Sequence, residues 1–142
     1  MRVKEVMTPA IALMHPDRTV KEAAEKMHEL NIGVLPVGEA DQVLGMLTDR
    51  DIVVRSVAVG HDPLTERLRD VMTPGVIYCF DDQDVSEAME LMKQNRIRRL
   101  VVRNRHNQLV GMLALCDLAR ERGHQAAIGA VLPAVAASPI FP

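Results

Sequence analysis

The chain has 142 residues, which suffice for one compact domain or for two small ones that share a core. A net charge of −2 excludes a polycation, and a hydrophobic content of 48% is typical of a globular protein. No run of 18 apolar residues is present, which argues against a membrane span. Two cysteines, Cys79 and Cys116, and an N-terminus without a secretory leader predict a cytoplasmic protein.

The first half of the chain predicts five elements in the order strand, helix, strand, strand, helix. Val6-Met7-Thr8-Pro9 precedes an apolar stretch from Ala10 to Met14, which is predicted to be a strand. Thr19-x-x-Glu22 is a capping box that begins a helix with one apolar face. The remaining elements are strands from Val34 to Val37 and from Val43 to Leu47, joined by Gly38 to Gln42, and a helix from about Asp49 to Ala58 that ends near Gly60.

The second half repeats this pattern. Val71-Met72-Thr73-Pro74 lies 65 residues after its counterpart, and Gly111-Met112-Leu113 repeats Gly45-Met46-Leu47 after one loop residue is gained. The repetition predicts an α+β fold of two β-α-β-β-α units related by a pseudo-twofold axis, with matching residues converging on a cleft between them. The predicted elements are a strand from Val76 to Phe80, a helix that begins at Asp84-x-x-Glu87, strands from Leu100 to Val102 and from Leu109 to Leu113 around the loop Arg103 to Gln108, and a helix from about Leu115 to Arg122 that ends at Gly123.

The repetition divides the chain into repeat one (1–60), a linker (61–69), repeat two (70–123) and an apolar tail (124–142). The linker is expected to hold a short helical turn that begins at Asp62-Pro63 or at Thr65. In the tail, Ala126 to Val131 is expected to extend the last helix and Pro133 to end it. The tail either packs on its own domain or a partner subunit, or contacts a membrane, and its shortness and prolines favour packing.

The most specific local feature is Gly45-Met46-Leu47-Thr48-Asp49-Arg50-Asp51, where a predicted strand meets a predicted helix. In structural terms, Thr48 is an N-cap and Asp51 is a first-turn carboxylate that suits the helix dipole. In functional terms, the threonine hydroxyl contacts a phosphate at the helix start, and the carboxylate accepts both hydroxyls of a ribose, as acidic residues do in dinucleotide sites. The two interpretations are compatible.

With these motifs the chain resembles a tandem pair of CBS (cystathionine β-synthase) domains, of the small stand-alone type found in bacteria and archaea. The likeness runs from Val3 to about Gly123 and rests on the doubled Val-Met-Thr-Pro, on Ile32 to Val37, on the Thr48–Asp51 motif and on their counterparts in repeat two. It implies a regulatory module rather than an enzyme. The module is expected to bind AMP, ADP, ATP, S-adenosylmethionine or an NAD-type molecule in the cleft between repeats. It also implies a homodimer. No resident cofactor is predicted, and the effector protein is not identified by the sequence.

The resemblance implies two sites, each of which combines the Thr-x-x-Asp of one repeat with the first strand of the other. Ala114 stands where Thr48 stands in repeat one, so site two keeps its ribose-binding carboxylate but loses a hydroxyl. Site one takes Thr48, Asp51, Val34 and Pro36 with Val76, Ile77 and Tyr78 near the base. Site two takes Asp117 with Thr8, Ala10 and Ile11, and with Arg98 and Arg99 for phosphate.

A basic segment (residues 93–106) offers an alternative function, because no acidic residue lies between Leu91 and Cys116. Arg98 and Arg99 are either phosphate ligands or solvated surface residues. In the alternative, the chain is a ligand-free interaction scaffold that contacts nucleic acid through this segment. Nucleic acid is the less favoured partner, because no aromatic residues interleave with the basic ones. The basic residues are Lys93, Arg96, Arg98, Arg99, Arg103 and Arg105.

Cysteine chemistry and catalysis receive less support. Cys79 and Cys116 lack CxxC spacing and a clustered histidine pair, so we expect two buried free thiols rather than a metal site. A redox or metal response through them is a third hypothesis. No Gly-x-Ser-x-Gly, His-Glu-x-x-His or Walker motif occurs, so no catalytic residue is predicted.

Overall fold

The computed structural model describes residues 1–9, 13–121 and 123–136. The chain forms two compact units, the first-repeat unit (Ile11–Val76) and the second-repeat unit (Met1–Ala10 with Ile77–Pro142). Both units contain helices and strands, which confirms the predicted α+β class and the two repeats. The Val-Met-Thr-Pro segment at the start of each repeat belongs to the unit of the other repeat. It is held there because its Thr-Pro strand pairs with the hairpin of that other repeat.

The elements of the described residues follow one another in this order: α1 (Val3–Val6), β1 (Thr8–Pro9), α2 (Val20–Leu30), β2 (Val34–Glu39), β3 (Gln42–Thr48), α3 (Asp49–Ile52), a π-helical segment (Val53–Val57), α4 (Leu68–Val71), β4 (Thr73–Pro74), β5 (Tyr78–Phe80), α5 (Val85–Asn95), β6 (Arg99–Arg103), β7 (Leu109–Ala114), α6 (Leu115–Ala119) and α7 (Gln125–Ala136). The predicted strand and helix types are confirmed for both hairpins and for the first helix of each repeat.

The first-repeat unit is built on an antiparallel sheet in the order β2-β3-β4. At one end of the hairpin Val34 pairs with Thr48, and Gly45 pairs with Pro74 of the short strand β4. Helix α2 begins where the Thr19 hydroxyl accepts a hydrogen bond from the amide of Glu22 at 3.2 Å. Its apolar face and α4 close the core, whose buried members are Val20, Ala23, Met27, Leu35, Val37, Leu47, Ile52, Leu68 and Val71.

The second-repeat unit is built on a sheet in the order β1-β7-β6-β5, in which β5 runs parallel to β6 and the other pairs are antiparallel. Asp84 begins helix α5 by accepting a hydrogen bond from the amide of Ser86 at 2.9 Å. Val3 of α1 is fully buried in this core, as Leu68 of α4 is in the other. The remaining core comes from α5, β5–β7, α6 and α7.

Several predicted boundaries are wrong. The helix predicted from Asp49 to Ala58 is α-helical only to Ile52 and then π-helical, in a stretch whose β-branched valines are weaker helix formers than straight-chain residues. The predicted loop from Gly38 to Gln42 is a two-residue turn, with positive φ at Ala40 and Asp41. The strand predicted from Val76 begins only at Tyr78.

The structure leaves parts of two predicted elements undescribed. Residues 10–12 of the strand predicted from Ala10 to Met14 lie outside the described residues, and Met14 forms a single parallel bridge with Val37. The last helix of repeat two ends at Ala119, before the predicted end at Arg122, which is itself outside the described range. Helices α1 and α4 were not predicted, because four residues carry too little periodicity.

The described part of the tail forms a separate helix, α7, and does not extend α6. Ile128, Val131 and Val135 lie in the core of the second-repeat unit, so this part packs on its own unit. Pro133 does not end the helix as predicted. Pro133 has no N–H to donate to the Gly129 carbonyl, and both residues are exposed. Within the described ranges, no helix is long and apolar enough to cross a membrane.

Candidate ligand-binding site

Thr48 and Asp51 hold each other in place at the end of β3. The Thr48 amide donates to Oδ2 of Asp51 at 3.0 Å, and the Asp51 amide donates to Oγ1 of Thr48 at 3.1 Å. This reciprocal capping box leaves the two residues only 5% and 6% exposed. The structural interpretation of the motif is therefore confirmed, and both side chains are fixed before any ligand arrives.

The capping box leaves hydrogen-bonding capacity unused. The Thr48 hydroxyl accepts one bond and still carries a proton to donate, and each carboxylate oxygen of Asp51 can accept more than one donor. A carboxylate that is fixed beside a hydroxyl donor can hold a pair of vicinal hydroxyls and an anionic oxygen. The structural interpretation is therefore compatible with the functional one, which stays a prediction.

The other predicted members of site one fall in both units. Val34 pairs directly with Thr48, and Pro36 is buried two residues further along β2. Val76 is half-buried in the same first-repeat unit. Ile77 and Tyr78 belong to the second-repeat unit, where they are 39% and 40% exposed. Their role as contacts to a base stays a prediction.

Site two reproduces only half of the capping box. The Ala114 amide donates to Oδ2 of Asp117 at 2.8 Å, but Ala114 has no hydroxyl to accept a bond in return. The Leu115 amide donates to the Arg98 carbonyl at 2.9 Å, which matches the bond from Asp49 to Gly33 at the same length. The helix start is thus built in the same way in both repeats, and the side chains differ.

The remaining predicted members of site two are placed as follows. Thr8 is exposed on β1, and Ala10 and Ile11 lie outside the described residues. Arg98 and Arg99 are both half-buried, so neither is a fully solvated surface arginine. Nε of Arg98 is buried and has no hydrogen-bond partner in the described part of the chain.

The basic segment does not form one free cationic surface. The Arg103 guanidinium lies over the Tyr78 ring at 4.5 Å, and the Arg105 guanidinium lies over the Phe80 ring at 4.0 Å. Arg105 also pairs with Asp82 at 2.9 Å, and this hydrogen-bonded guanidinium lowers the pKa of the Asp82 carboxyl. The arginines therefore do interleave with aromatic rings. The sequence did not show this, because the rings come from β5, which pairs with β6.

The cysteines give no support to a metal or redox site. Cys79 is buried, and burial, together with the negative charge of Asp81, raises the pKa of its thiol to about 11. Cys116 is exposed, contrary to the expectation of two buried thiols, because Leu115 and Leu118 take the core-facing positions of α6. Among the described residues, no group of three or more His, Cys, Asp or Glu could hold a metal ion.

Comparison with known proteins extends the resemblance seen in the motifs. The family model for the CBS domain matches residues 3–57 and 68–124. YhcV, a CBS domain-containing protein of Bacillus subtilis, is 38% identical over 130 residues, which cover 92% of this chain and 91% of that protein. Hypoxic response protein 1 of Mycobacterium tuberculosis is 33% identical over 118 residues, which cover 82% of each chain.

Solved structures share the fold. The CBS domain protein TA0289 of Thermoplasma acidophilum superposes with a TM-score of 0.81 at 25% identity, covering 97% of this chain and 78% of that one. Hypoxic Response Protein I with two coordinated zinc ions gives 0.74 at 32% identity, covering 85% and 98%. CBSX2 in complex with AMP gives 0.68, covering 84% and 93%, and at 23% identity this likeness is one of fold.

Proposed function

Because the chain belongs to the CBS domain family, we propose that it is a regulatory module that senses an adenosine-type ligand such as AMP, ADP, ATP, S-adenosylmethionine or an NAD-type molecule. The observation that carries the proposal is the buried, reciprocal pair of Thr48 and Asp51. The pair keeps a hydroxyl proton and carboxylate lone pairs available at one point of the first-repeat unit. No catalytic role is proposed.

In this proposal Asp51 accepts hydrogen bonds from the 2′- and 3′-hydroxyls of the ribose, and the Thr48 hydroxyl donates to a phosphate oxygen. A capping box that already fixes both side chains removes part of the entropy cost of ordering them on binding. The site is therefore preorganised for the sugar, which every candidate ligand shares. The choice among the ligands depends on contacts beyond the ribose.

We propose that the second site is the weaker of the two. Asp117 keeps the carboxylate, held by the Ala114 amide, but the hydroxyl of Thr48 has no counterpart. Arg98 and Arg99, which replace Gly33 and Val34 of repeat one, supply positive charge suited to phosphate. The buried Nε of Arg98, without a partner among the described residues, supports a phosphate-binding role for this arginine.

Regulation follows from differential affinity. A ligand that binds one conformational state of the module more tightly than another shifts the population toward that state, by as much as the two affinities differ. The state is then read by an effector protein, which the chain itself does not identify. The free cysteines are in keeping with a cytoplasmic site of action.

We further propose that the module forms a homodimer through exposed valines at the end of the first repeat. Val53, Val54, Val57 and Val59 are between 47% and 61% exposed, and apolar side chains in such a cluster are typical of an interface. Light scattering should give twice the chain mass of 15.7 kDa. Val57→Glu should yield a monomer, whereas Leu64→Glu, at an exposed leucine outside the cluster, should not. A monomeric wild type would refute the proposed homodimer.

A ligand panel tests the sensor function. Thermal unfolding should be measured with AMP, ADP, ATP, S-adenosylmethionine and NADH, and with UMP and CMP as controls. A ligand at about 100 times its Kd stabilises the native state by about 2.7 kcal/mol, which raises the midpoint by several degrees. At least one adenosine ligand should do so, and the pyrimidine nucleotides should not. No shift with any adenosine ligand would contradict the proposal.

A further inference from the structure

Arg55 connects the Asp51 carboxylate to the second Val-Met-Thr-Pro segment. One terminal NH group of Arg55 lies 3.2 Å from the Val71 carbonyl oxygen and 3.3 Å from that of Met72. The same group lies 3.4 Å from Oγ1 of Thr73. On its other side, Nε of Arg55 lies 3.9 Å from Oδ1 of Asp51. A single guanidinium therefore contacts the candidate site and the chain that leads into β4.

The two oxygens of Asp51 have different surroundings. Oδ2 accepts the Thr48 amide at 3.0 Å, whereas Oδ1 faces the Arg55 guanidinium at a distance too long for a hydrogen bond. Arg55 thus attracts Oδ1 electrostatically without occupying its lone pairs. The Asp51 side chain is only 8% exposed, whereas that of Arg55 is 41% exposed, so water screens this attraction in part. Within the part of the chain that the structure describes, Oδ1 accepts no hydrogen bond.

Repeat two lacks this arrangement. The offset that matches Asp51 with Asp117 matches Arg55 with Glu121. Glu121 lies beyond the end of α6 at Ala119, and a carboxylate cannot donate to backbone carbonyls as Arg55 does. The difference between the two sites therefore extends beyond Thr48 and Ala114 to the position of Arg55, where repeat two carries a carboxylate in place of a guanidinium.

We infer that Arg55 is a positioning residue of the first-repeat site, which fixes Oδ1 of Asp51 for ribose hydroxyls and gives the site its preference for ribose over deoxyribose. The inference rests on the proposed function, because it assigns a role within the same site. It adds that the second Val-Met-Thr-Pro segment, through Arg55, acts on Oδ1 of the carboxylate, while the capping box holds Oδ2. A change in this segment is thereby expected to alter sugar recognition.

AMP and 2′-deoxy-AMP are the probes that test this role, and calorimetry on the full chain is the measurement. Arg55→Ala should weaken AMP binding about tenfold, the loss expected for roughly one charge-assisted interaction, and should weaken 2′-deoxy-AMP much less. The ratio of the two affinities should therefore shrink. Arg55→Lys, which keeps the charge, should recover part of the lost difference between the two affinities. Arg50→Ala, at an exposed arginine of α3, should leave the ratio unchanged.

Thr73→Val provides a second variant that keeps side-chain shape and removes only one acceptor of Arg55, so it tests the role even where Arg55→Ala fails to fold. It should reduce the ratio by a smaller factor. An equal loss for both nucleotides in Arg55→Ala, or an unchanged ratio in both variants, would overturn the positioning role while leaving the proposed function standing. A wild type that binds neither nucleotide would overturn the positioning role as stated, whereas the proposed function would fall only if no adenosine ligand of the panel binds.

Discussion

Gly45 and Thr73 lie so close together that a Cβ atom on Gly45 would meet the Thr73 carbonyl oxygen at 2.5 Å. The counterpart in the second-repeat unit is the same, because a Cβ on Gly111 would meet the Thr8 carbonyl oxygen at 2.4 Å. In both units the glycine lets a Val-Met-Thr-Pro strand pair closely with the hairpin. The repeated Gly-Met-Leu and Val-Met-Thr-Pro motifs of the sequence are therefore the two partners in the same kind of strand contact.

Gly45→Ala should destabilise the protein, because its methyl group displaces backbone rather than a flexible side chain. Overpacking of this kind typically costs about 1–3 kcal/mol. Urea unfolding measures the loss. Gly129→Ala is the matched control, since a Cβ at this helical glycine meets nothing within 4 Å and should leave stability equal or slightly higher. A Gly45→Ala variant as stable as wild type would contradict the close contact.

Leu68→Ala should destabilise the protein by about 2–5 kcal/mol, because it leaves a cavity in the core of the first-repeat unit. Leu68 is fully buried, although it lies in a stretch that the sequence assigned to the linker. Leu64→Ala, four residues earlier and 62% exposed, should change the unfolding free energy by less than about 0.5 kcal/mol. Similar denaturation midpoints for the two variants would count against the placement of α4.

Ala114→Thr should stabilise the protein by roughly 1 kcal/mol, because it supplies the hydroxyl that completes the capping box with Asp117. Ala119→Thr, at an exposed position of α6, places the same side chain within the helix, where threonine is a weaker helix former than alanine, and should be neutral or slightly destabilising. Chemical denaturation distinguishes them. A stability loss in Ala114→Thr would show that α6 does not begin as α3 does.

Acid should reduce the contribution of Asp84 to stability. Hydrogen bonds from the backbone and side chain of Ser86 lower the pKa of the Asp84 carboxyl from 3.8 to about 2. A depressed pKa in the folded state stabilises the protein above the unfolded value and loses its effect as the pH falls through the folded one. The difference in unfolding free energy between wild type and Asp84→Ala should therefore be constant at neutral pH and shrink between about pH 4 and pH 2. A difference that stays constant across this window would contradict the assignment.

Local patterns in the sequence predicted α2, α5 and the two hairpins, because these elements depend on residues close along the chain. Thr19 and Glu22 mark the start of α2 by direct contact, and the Thr48–Asp51 box forms between neighbours. The features that the sequence did not reveal depend on contacts between distant segments. Tyr78 and Phe80 approach the arginines of β6 only through strand pairing.

The residues of the candidate site show the same difference between local and distant contacts. Thr48, Asp51 and the loss of the hydroxyl at Ala114 could be identified from the repeat alone. Arg55 could not, because its partners in the second Val-Met-Thr-Pro segment lie at least 16 residues away and its role appears only when α4 and β4 pack beside β3. The repeat alignment shows that Glu121 stands where repeat one has Arg55. The sequence alone gives this difference no structural meaning.

In the proposed function, Asp51 binds the ribose of an adenosine ligand. Calorimetric titration should compare wild type, Asp51→Ala and Asp49→Ala, using whichever ligand stabilises the wild type most. Asp49 is an exposed carboxylate in the same helical turn, so its removal changes charge equally. Asp51→Ala should lose on the order of tenfold or more in affinity at the first site, as expected when hydrogen bonds to a charged group are removed, while Asp49→Ala stays near wild type. Equal affinities for Asp51→Ala and wild type would contradict the claim.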